Sequence, residues 1–225
     1  GVAELSTVPK GYENIKGIYS CGDYILNDEG VKKTAKTKDG DFVLVPICSQ
    51  PLLIVERLRN IQDNCEKVVL AFCVGNSWET VQVEREVIAS NTKIIRLANF
   101  SIDVTSETAK DIVKYLQCLM QKNINLIKVS HTVNRLGWQN GEFVPYSDKV
   151  KCDSISEFLG IYRAIESKGN YELWIKHCLK LRENIYLRLT MAASFAAPLI
   201  EIIGGLPFIV HLWGGTGAGK TVALN

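Results

Sequence analysis

The sequence lacks a strong excess of either charge. Its 26 lysine and arginine residues nearly balance 24 aspartate and glutamate residues, and the formal net charge is +2. This balance neither requires nor excludes a nucleic-acid partner, so basic patches have to be judged one by one. Two patches occur, Lys32, Lys33, Lys36 and Lys38 in the first and Lys176, Lys180 and Arg182 in the second. Each is able to contact phosphates, but we interpret both as solvated faces.

Metal ligands are scarce as well. The sequence has three histidines and no Cys-x-x-Cys pair, whereas a structural zinc site needs four closely placed nitrogen or sulfur ligands. We therefore expect no zinc site. Seven cysteines at irregular spacing do not make the even, regular set of a disulfide framework. They predict reduced thiols, as in a cytoplasmic protein.

Long uninterrupted apolar runs are also missing. Residues 189–210 are mostly apolar but contain Glu201, Pro198 and Gly204-Gly205, whereas a membrane helix needs about 20 continuous apolar residues. The stretch predicts a helix, a turn and a strand. Residues 1–5 show neither the basic nor the apolar region of a signal peptide. We expect a cytoplasmic protein with no membrane partner.

The composition is that of an ordinary globular protein, with 47% hydrophobic and 22% charged residues among 225. Residues 1–150 contain short apolar runs separated by turn residues, which predict a small β-rich domain. We expect a hairpin tip at Asp63-Asn64 and a short helix at 84–90. The expected strands lie at 18–20, 24–26, 42–45, 52–55, 68–72, 78–83, 93–97 and 125–133.

One amphipathic helix is predicted inside this domain. Thr105 or Ser106 is a suitable N-cap, and apolar residues then recur at helical spacing. The apolar stripe consists of Ala109, Ile112, Val113, Leu116, Leu119 and Met120. We expect a helix over residues 106–122 whose stripe packs on the core.

A β-hairpin is predicted around Asn140-Gly141, the dipeptide that most favours a two-residue turn. The turn brings Gly137–Gln139 onto Glu142–Val144. Trp138 and Phe143 are able to stack on unpaired bases or to pack the hairpin. We favour packing.

The pattern becomes helical over residues 151–225, so we place a domain boundary near residue 150. Pro198 is expected to kink the last helix and Gly204-Gly205 to end it. Pro207–Trp213 is a short apolar run that predicts a strand. The expected helices lie at 155–165, 171–183 and 184–203.

The strongest motif follows that run. The pattern G-x-x-x-x-G-K-[ST] is fitted by Gly214, Gly215, Thr216, Gly217, Ala218, Gly219, Lys220 and Thr221, here named the phosphate loop. Glycines let backbone N–H groups approach phosphate oxygens. We predict that the loop binds ATP, with Lys220 at the outer phosphates and the Thr221 hydroxyl on Mg²⁺. The expected fold class is an α+β N-terminal part, a small β-rich domain plus helices, followed by the truncated start of an α/β phosphate-loop NTPase domain.

A phosphate loop does not hydrolyse nucleotide by itself. ATPases of this type add an acidic residue on a later strand and often an arginine from a neighbour. No convincing acidic strand occurs here, since Val68–Phe72 runs into Cys73. We therefore expect the 225 residues to be the N-terminal piece of a longer ATPase, without hydrolysis of its own, and we assign no catalytic residue.

Three stretches together resemble a known family. They are Leu136–Val144 with its Gly-Trp hairpin, Ala196–Ile200 with Ala-Pro-Leu, and Ile209–Gly214, which leads into Gly219-Lys220-Thr221. The sequence is similar to the domain of unknown function 927 family, helicase-like ATPases of phages, plasmids and integrative elements. This resemblance implies a ring-forming ATPase of the replicative-helicase type, in which Gly214, Gly219, Lys220 and Thr221 bind nucleotide.

Four functions stay open on these grounds. The first is an ATP-driven DNA helicase or helicase loader of a mobile element, with DNA and further copies of itself as partners. The second is a phosphate-loop switch or signalling ATPase whose β-rich domain binds a protein. The third is a small-molecule kinase. In the fourth, these 225 residues alone are a catalytically inert module that binds nucleic acid or a partner.

Overall fold

A computed structural model describes residues 4–18, 21–75, 77–144, 146–153 and 167–224. They form a mixed α+β protein, as predicted, and divide into two compact units. Unit 1 comprises the described residues up to Asn134 together with Lys149–Asp153. Unit 2 comprises Arg135–Asp148 and the described residues that follow position 153. The helix predicted at 155–165 lies outside the described residues.

Unit 1 contains two sheets. The first is antiparallel, in the order β1 (Tyr24–Asn27), β2 (Gly30–Lys36), β3 (Phe42–Cys48). The other strands of unit 1 are β4 (Leu52–Asn60), β5 (Glu66–Val74), β6 (Ser77–Glu84), β7 (Lys128–Val133) and β10 (Val150–Cys152). Between β7 and β10 in the chain lie β8 (Gly137–Gln139) and β9 (Glu142–Val144), which belong to unit 2. The second sheet of unit 1 has the order β10-β7-β4-β5-β6. Its β10, β7 and β4 are parallel, and its β4, β5 and β6 are antiparallel.

The hairpin between β4 and β5 turns at the predicted Asp63-Asn64 pair. Asn64 has a φ of 59°, in the left-handed region that asparagine tolerates better than most residues. Four consecutive residues of β4, Leu52–Val55, are fully buried. Because successive side chains point to opposite faces of a sheet, this burial requires cover on both faces.

The predicted amphipathic helix is confirmed as α1 (Ala109–Lys122). Its stripe is buried, with Ile112, Leu116 and Leu119 fully enclosed. The helix begins three residues later than expected because Thr105 and the following residues first form a turn, closed by the Ala109 N–H on the Thr105 carbonyl at 2.9 Å. Tyr115 is buried too, and its hydroxyl donates to the Leu52 carbonyl at 2.8 Å.

The strand predicted at 93–97 is wrong. Residues Ile94–Phe100 form a 3₁₀ helix instead. Ile94 and Leu97 are both fully buried, and a spacing of three residues places them on one side of a 3₁₀ helix. The short helix expected at 84–90 is present as a 3₁₀ turn over Val87–Ala89.

The prediction that all thiols are reduced is wrong for one pair. A disulfide joins Cys21 to Cys118 on α1, across 97 positions of sequence. The other described cysteines, Cys48, Cys65, Cys73, Cys152 and Cys178, are free. Sequence spacing did not reveal the pair because the packing of α1 brings its two members together.

A buried carboxylate holds several parts of unit 1 together. Glu56 of β4 accepts hydrogen bonds from the Lys151 ammonium of β10 and the Tyr12 hydroxyl, both at 2.8 Å, and from the Ser130 hydroxyl of β7. Burial acts to raise the pKa of Glu56, but these hydrogen bonds outweigh it and leave the pKa below its ordinary value. Burial, and then the bond to Glu56, raises the pKa of Tyr12.

The predicted hairpin of unit 2 is confirmed as β8 paired with β9. Asn140 and Gly141 have φ values of 51° and 81°, the pair of positive angles that a tight two-residue turn requires. The rings of Trp138 and Phe143 lie edge to face at 5.1 Å. This contact agrees with the interpretation that both aromatic residues pack the hairpin.

Two longer helices follow in unit 2, α2 (Tyr171–Leu181) and α3 (Ile185–Ala196). Asn170 and Asn184 cap them, each accepting from a backbone N–H of the first turn. The third predicted helix was expected to reach residue 203, but α3 ends before Pro198, which lies in a 3₁₀ turn because proline has no N–H to donate. Among the described residues, no helix has both the length and the apolar character to span a membrane.

The strand predicted at Pro207–Trp213 is wrong as well. Residues 205–214 form no regular element. A strand exists only through hydrogen bonds to a neighbouring strand, and no described strand pairs with this run. Apolar composition alone therefore does not make it a strand.

Candidate functional site

The phosphate loop, Gly214–Thr221, lies between this irregular run and a short helix, α4 (Lys220–Leu224). All of its residues are exposed except Lys220, which is half-buried. The predicted order of glycine loop and helix start is therefore present, although the strand before it is not. Because the eight residues are contiguous, the fold brings all the predicted site residues together.

Lys220 folds back over the loop from which it projects. Its ammonium group donates to the carbonyl oxygens of Gly214 at 2.9 Å and Gly215 at 2.8 Å. The loop also closes on itself through the Ala218 N–H, which donates to the Gly215 carbonyl at 3.3 Å. The positive charge of Lys220 is thus held at the mouth of the loop by two neutral carbonyls.

Two glycines give the loop its shape. Gly217 and Gly219 have φ values of 80° and 78°, in the region where a Cβ atom is strained. These two glycines alternate with Thr216, Ala218 and Lys220. Their positive φ angles make the chain turn tightly before α4 begins. A side chain at either glycine position is therefore disfavoured on conformational grounds.

The loop keeps many hydrogen-bond donors unused. In the described residues 167–224, the structure records no hydrogen bond from the backbone N–H groups of Gly215, Thr216, Gly217, Gly219, Lys220 and Thr221. Backbone N–H groups that are exposed in a tight turn form the kind of concave donor surface that binds anions. These six N–H groups are therefore available as hydrogen-bond donors.

A cavity of about 700 Å³ adjoins the loop, within the usual size of a small-molecule site. Ala218, Gly219 and Lys220 line one part of it, and Tyr186 and Trp213 line another. Both aromatic side chains are largely exposed. The described residues that line the cavity include no aspartate or glutamate.

The protein groups at the loop fit Mg²⁺ only if a bound nucleotide supplies further oxygen ligands. No group of three or more His, Cys, Asp or Glu side chains is arranged to hold a metal within the described part of the chain. Thr221 has one hydroxyl, in the first turn of α4. A hydroxyl and phosphate oxygens are ligands that Mg²⁺ accepts while keeping several waters.

The structure records contacts for some members of each basic patch. Lys32 pairs with Glu29, and Lys33 pairs with Asp111 of α1 at 2.7 Å. Lys176 and Lys180 lie beside Glu172 and Glu183 along one shallow groove on α2. Carboxylates therefore lie near lysines in both patches, and the interpretation of the patches as solvated faces stays a prediction.

The sequence did not predict the two aromatic side chains that line one part of the cavity, Tyr186 and Trp213, here named the aromatic wall. Tyr186 lies in the first turn of α3 and Trp213 precedes the loop. Nothing in their spacing links them to Lys220. The Asn184 cap, which accepts from the Tyr186 N–H at 2.9 Å, was the available signal, because it fixes where α3 starts beside the loop.

One protein family matches almost the whole of this chain. The model of a family described as "Domain of unknown function (DUF927)" matches residues 24–225, which include both sheets of unit 1 and the phosphate loop. No curated protein matches the chain. On the extent of the family match, the chain belongs to the DUF927 family.

Proposed function

We propose that the phosphate loop binds the phosphates of ATP, with Mg²⁺ held between the phosphate oxygens and the Thr221 hydroxyl. The observation that carries the proposal is the position of Lys220. Its ammonium bonds only to the carbonyls of Gly214 and Gly215, and phosphate oxygens are stronger partners for a cation because they are charged. Exchange of those carbonyls for phosphate costs the loop little.

The backbone supports the same ligand. Six backbone N–H groups between Gly215 and Thr221 have no recorded acceptor in the described part of the chain, and each is able to donate to a phosphate oxygen. Mg²⁺, when bound, neutralises part of the charge on the phosphates and orients them. The residues of this chain then hold the phosphate chain in one orientation and position the Lys220 charge against it.

We place the base of the nucleotide in the adjoining cavity. Tyr186 and Trp213 offer exposed ring faces there, and stacking on an aromatic ring binds any base without selecting its identity. This contact is testable by itself, because Trp213 fluorescence then changes on nucleotide binding. A Trp213→Phe variant should lose that change and keep most of its affinity.

Equilibrium titration with ATP and Mg²⁺ tests the proposal. Lys220→Ala should weaken binding by about 10- to 100-fold, since a charged hydrogen bond contributes about 1.5–3 kcal/mol. Lys176→Ala, which removes a lysine of α2 away from the loop, is the matched control and should bind as the parent chain does. Equal affinity of the parent and Lys220→Ala would contradict the proposal.

The larger role that we propose for the protein is an ATP-driven DNA motor, a ring-forming helicase or helicase loader of a phage or mobile element. Unit 2 would then be the start of an α/β nucleotide-binding domain. Its exposed apolar residues, among them Leu206 and Ile209, support this because they need further apolar surface to bury them. Hydrolysis requires an acidic residue near the loop, so we propose binding, not hydrolysis, for these 225 residues.

The motor and switch roles differ in their response to DNA. A motor should bind labelled single-stranded DNA more tightly with ATP and Mg²⁺ than without, and Lys220→Ala should remove the difference. The alternative to a motor is a nucleotide-dependent switch. A switch should change its assembly state with ATP and show no affinity for DNA, whereas an inert module should respond to neither ligand.

A further inference from the structure

The outer strand of the three-stranded sheet is unusually apolar and open. β3 (Phe42–Cys48) pairs with β2 on one side, and no strand among the described residues pairs with its other side. Its residues from Phe42 to Pro46 are all exposed, Phe42 by 74% and Leu44 by 52%. An exposed apolar edge strand is a template for pairing with another strand.

The backbone of β3 has hydrogen-bonding groups directed away from β2. The Thr37 N–H donates to the Asp41 carbonyl at 2.7 Å, so this pair is a hydrogen-bonded one. Pairs then alternate along an antiparallel ladder, which leaves the backbone groups of Phe42, Leu44 and Pro46 facing the open edge. The Thr34 N–H, opposite Leu44, agrees, because it donates to Asp23 on the far side at 2.6 Å.

The open edge is also uncharged. No residue from Phe42 to Cys48 carries a charge. The lysines paired with this strand, Lys32, Lys33 and Lys36, lie on β2, and Asp41 precedes it in the chain. A charged partner strand would leave its charges over apolar side chains. A second β3 presents only uncharged side chains, so self-pairing opposes no like charges.

We propose that β3 pairs with β3 of a second copy of this chain, antiparallel and centred on Leu44. This register sets Leu44 opposite Leu44, Val43 opposite Val45 and Phe42 opposite Pro46, so every facing side chain is apolar. The two Leu44 residues exchange two hydrogen bonds, and each Phe42 N–H donates to a Pro46 carbonyl. The two sheets become one continuous six-stranded sheet.

Pro46 limits the alternatives. It has no N–H, so it accepts but does not donate at the open edge. A register in which the backbone N–H of residue 46 has to donate in both copies loses those two hydrogen bonds. The exposed part of the edge is also short, because it comprises only Phe42–Pro46. A closed pair of copies, rather than an open fibre, follows from these two restrictions.

The self-association is testable on the 225-residue chain by sedimentation over a dilution series. Leu44→Lys should raise the dissociation constant by at least about tenfold, since it sets two ammonium groups opposite each other at the centre. Ile25→Lys is the matched control, because Ile25 is a 38% exposed apolar residue on β1, in the row of Pro46 and therefore on the same face of the sheet as Leu44. It should associate as the parent does, as should Lys220→Ala.

Amide hydrogen exchange provides a readout without any substitution. The N–H groups of Phe42 and Leu44 should be protected at high concentration and exchange freely on dilution. Those of Val43 and Val45, which bond to β2, should stay protected throughout. A chain that is monomeric at every concentration, an association that Leu44→Lys leaves unchanged, or protection of Leu44 only when a foreign strand peptide is added would each overturn the proposal.

Discussion

The two units differ in how they treat their apolar residues. In unit 1, large side chains such as Ile54, Leu70 and Tyr115 are fully buried. In unit 2, α2 has no buried residue among those described, and α3 has only Thr190. Large apolar side chains such as Ile203 and Ile209 are instead mostly exposed.

This difference means that one unit provides most of the stability of the chain and the other contains the candidate binding site. Burial of apolar area is the dominant favourable term in folding, so unit 1 holds its own core and does not depend on the phosphate loop. Unit 2 holds the candidate site, but its described residues bury little apolar area. The chemistry of the loop therefore rests on local turn geometry, while the stability of the chain rests on unit 1.

The largest expected effect is a core truncation in unit 1. Leu70→Ala should lower the free energy of unfolding by about 2–5 kcal/mol, because it removes a fully buried side chain and leaves a cavity. Leu181→Ala, at the end of α2 where the side chain is 48% exposed, should cost less than about 0.5 kcal/mol. Urea denaturation measures both, and equal costs would remove the distinction between the units.

The buried carboxylate offers a second test within unit 1. Glu56→Gln should lower the free energy of unfolding by about 2 kcal/mol. This is less than the roughly 3–5 kcal/mol for breaking a fully buried pair, because Lys151 is half-exposed. The matched control is Glu29→Gln, which breaks an exposed pair with Lys32 and should have no measurable effect. A neutral Glu56→Gln would show that its three donors contribute nothing net.

The same carboxylate predicts a direction for the pH dependence. The pKa of Glu56 is lower in the folded chain than its ordinary value of 4.5, so the ionised form binds its partners only after folding. This contribution is fully present above pH 4.5 and is lost as the pH falls through the lowered pKa. Denaturation midpoints measured below pH 4.5 should therefore drop more steeply for the parent chain than for Glu56→Gln.

A smaller effect is expected at the hairpin of unit 2. Gly141→Ala should weaken it by about 1–2 kcal/mol, since φ is 81° there and left-handed angles strain other residues. Asn140→Gly should be tolerated, because glycine accepts the same angle. Amide exchange of the β8 and β9 strands reports the loss, and an unchanged Gly141→Ala hairpin would show that its turn is not held by this geometry.

Local signals in the sequence account for the features that were predicted. The α1 stripe, the Asn140-Gly141 turn and the contiguous phosphate loop each depend on neighbouring residues, and a pattern of neighbours is what a sequence displays. The Cys21–Cys118 pair and the donors around Glu56 depend on residues far apart in the chain, so no spacing rule shows them.

The errors have a related cause. Residues 93–97 and 207–213 are apolar enough for strands, but a strand also needs a neighbour with which to pair. Ile94 and Leu97 instead bury one side of a 3₁₀ helix. The aromatic wall formed by Tyr186 and Trp213 was not predicted because it depends on where α3 lies beside the loop.

The most direct test of the central claim is amide exchange across the whole chain with and without ATP and Mg²⁺. If the unused N–H donors bind phosphate, protection should appear at Gly215–Thr221, while the core strands of unit 1 should exchange as before. Lys220→Ala should remove most of that protection. A loop that exchanges at the same rate with saturating nucleotide would contradict the claim that these residues form a phosphate-binding site.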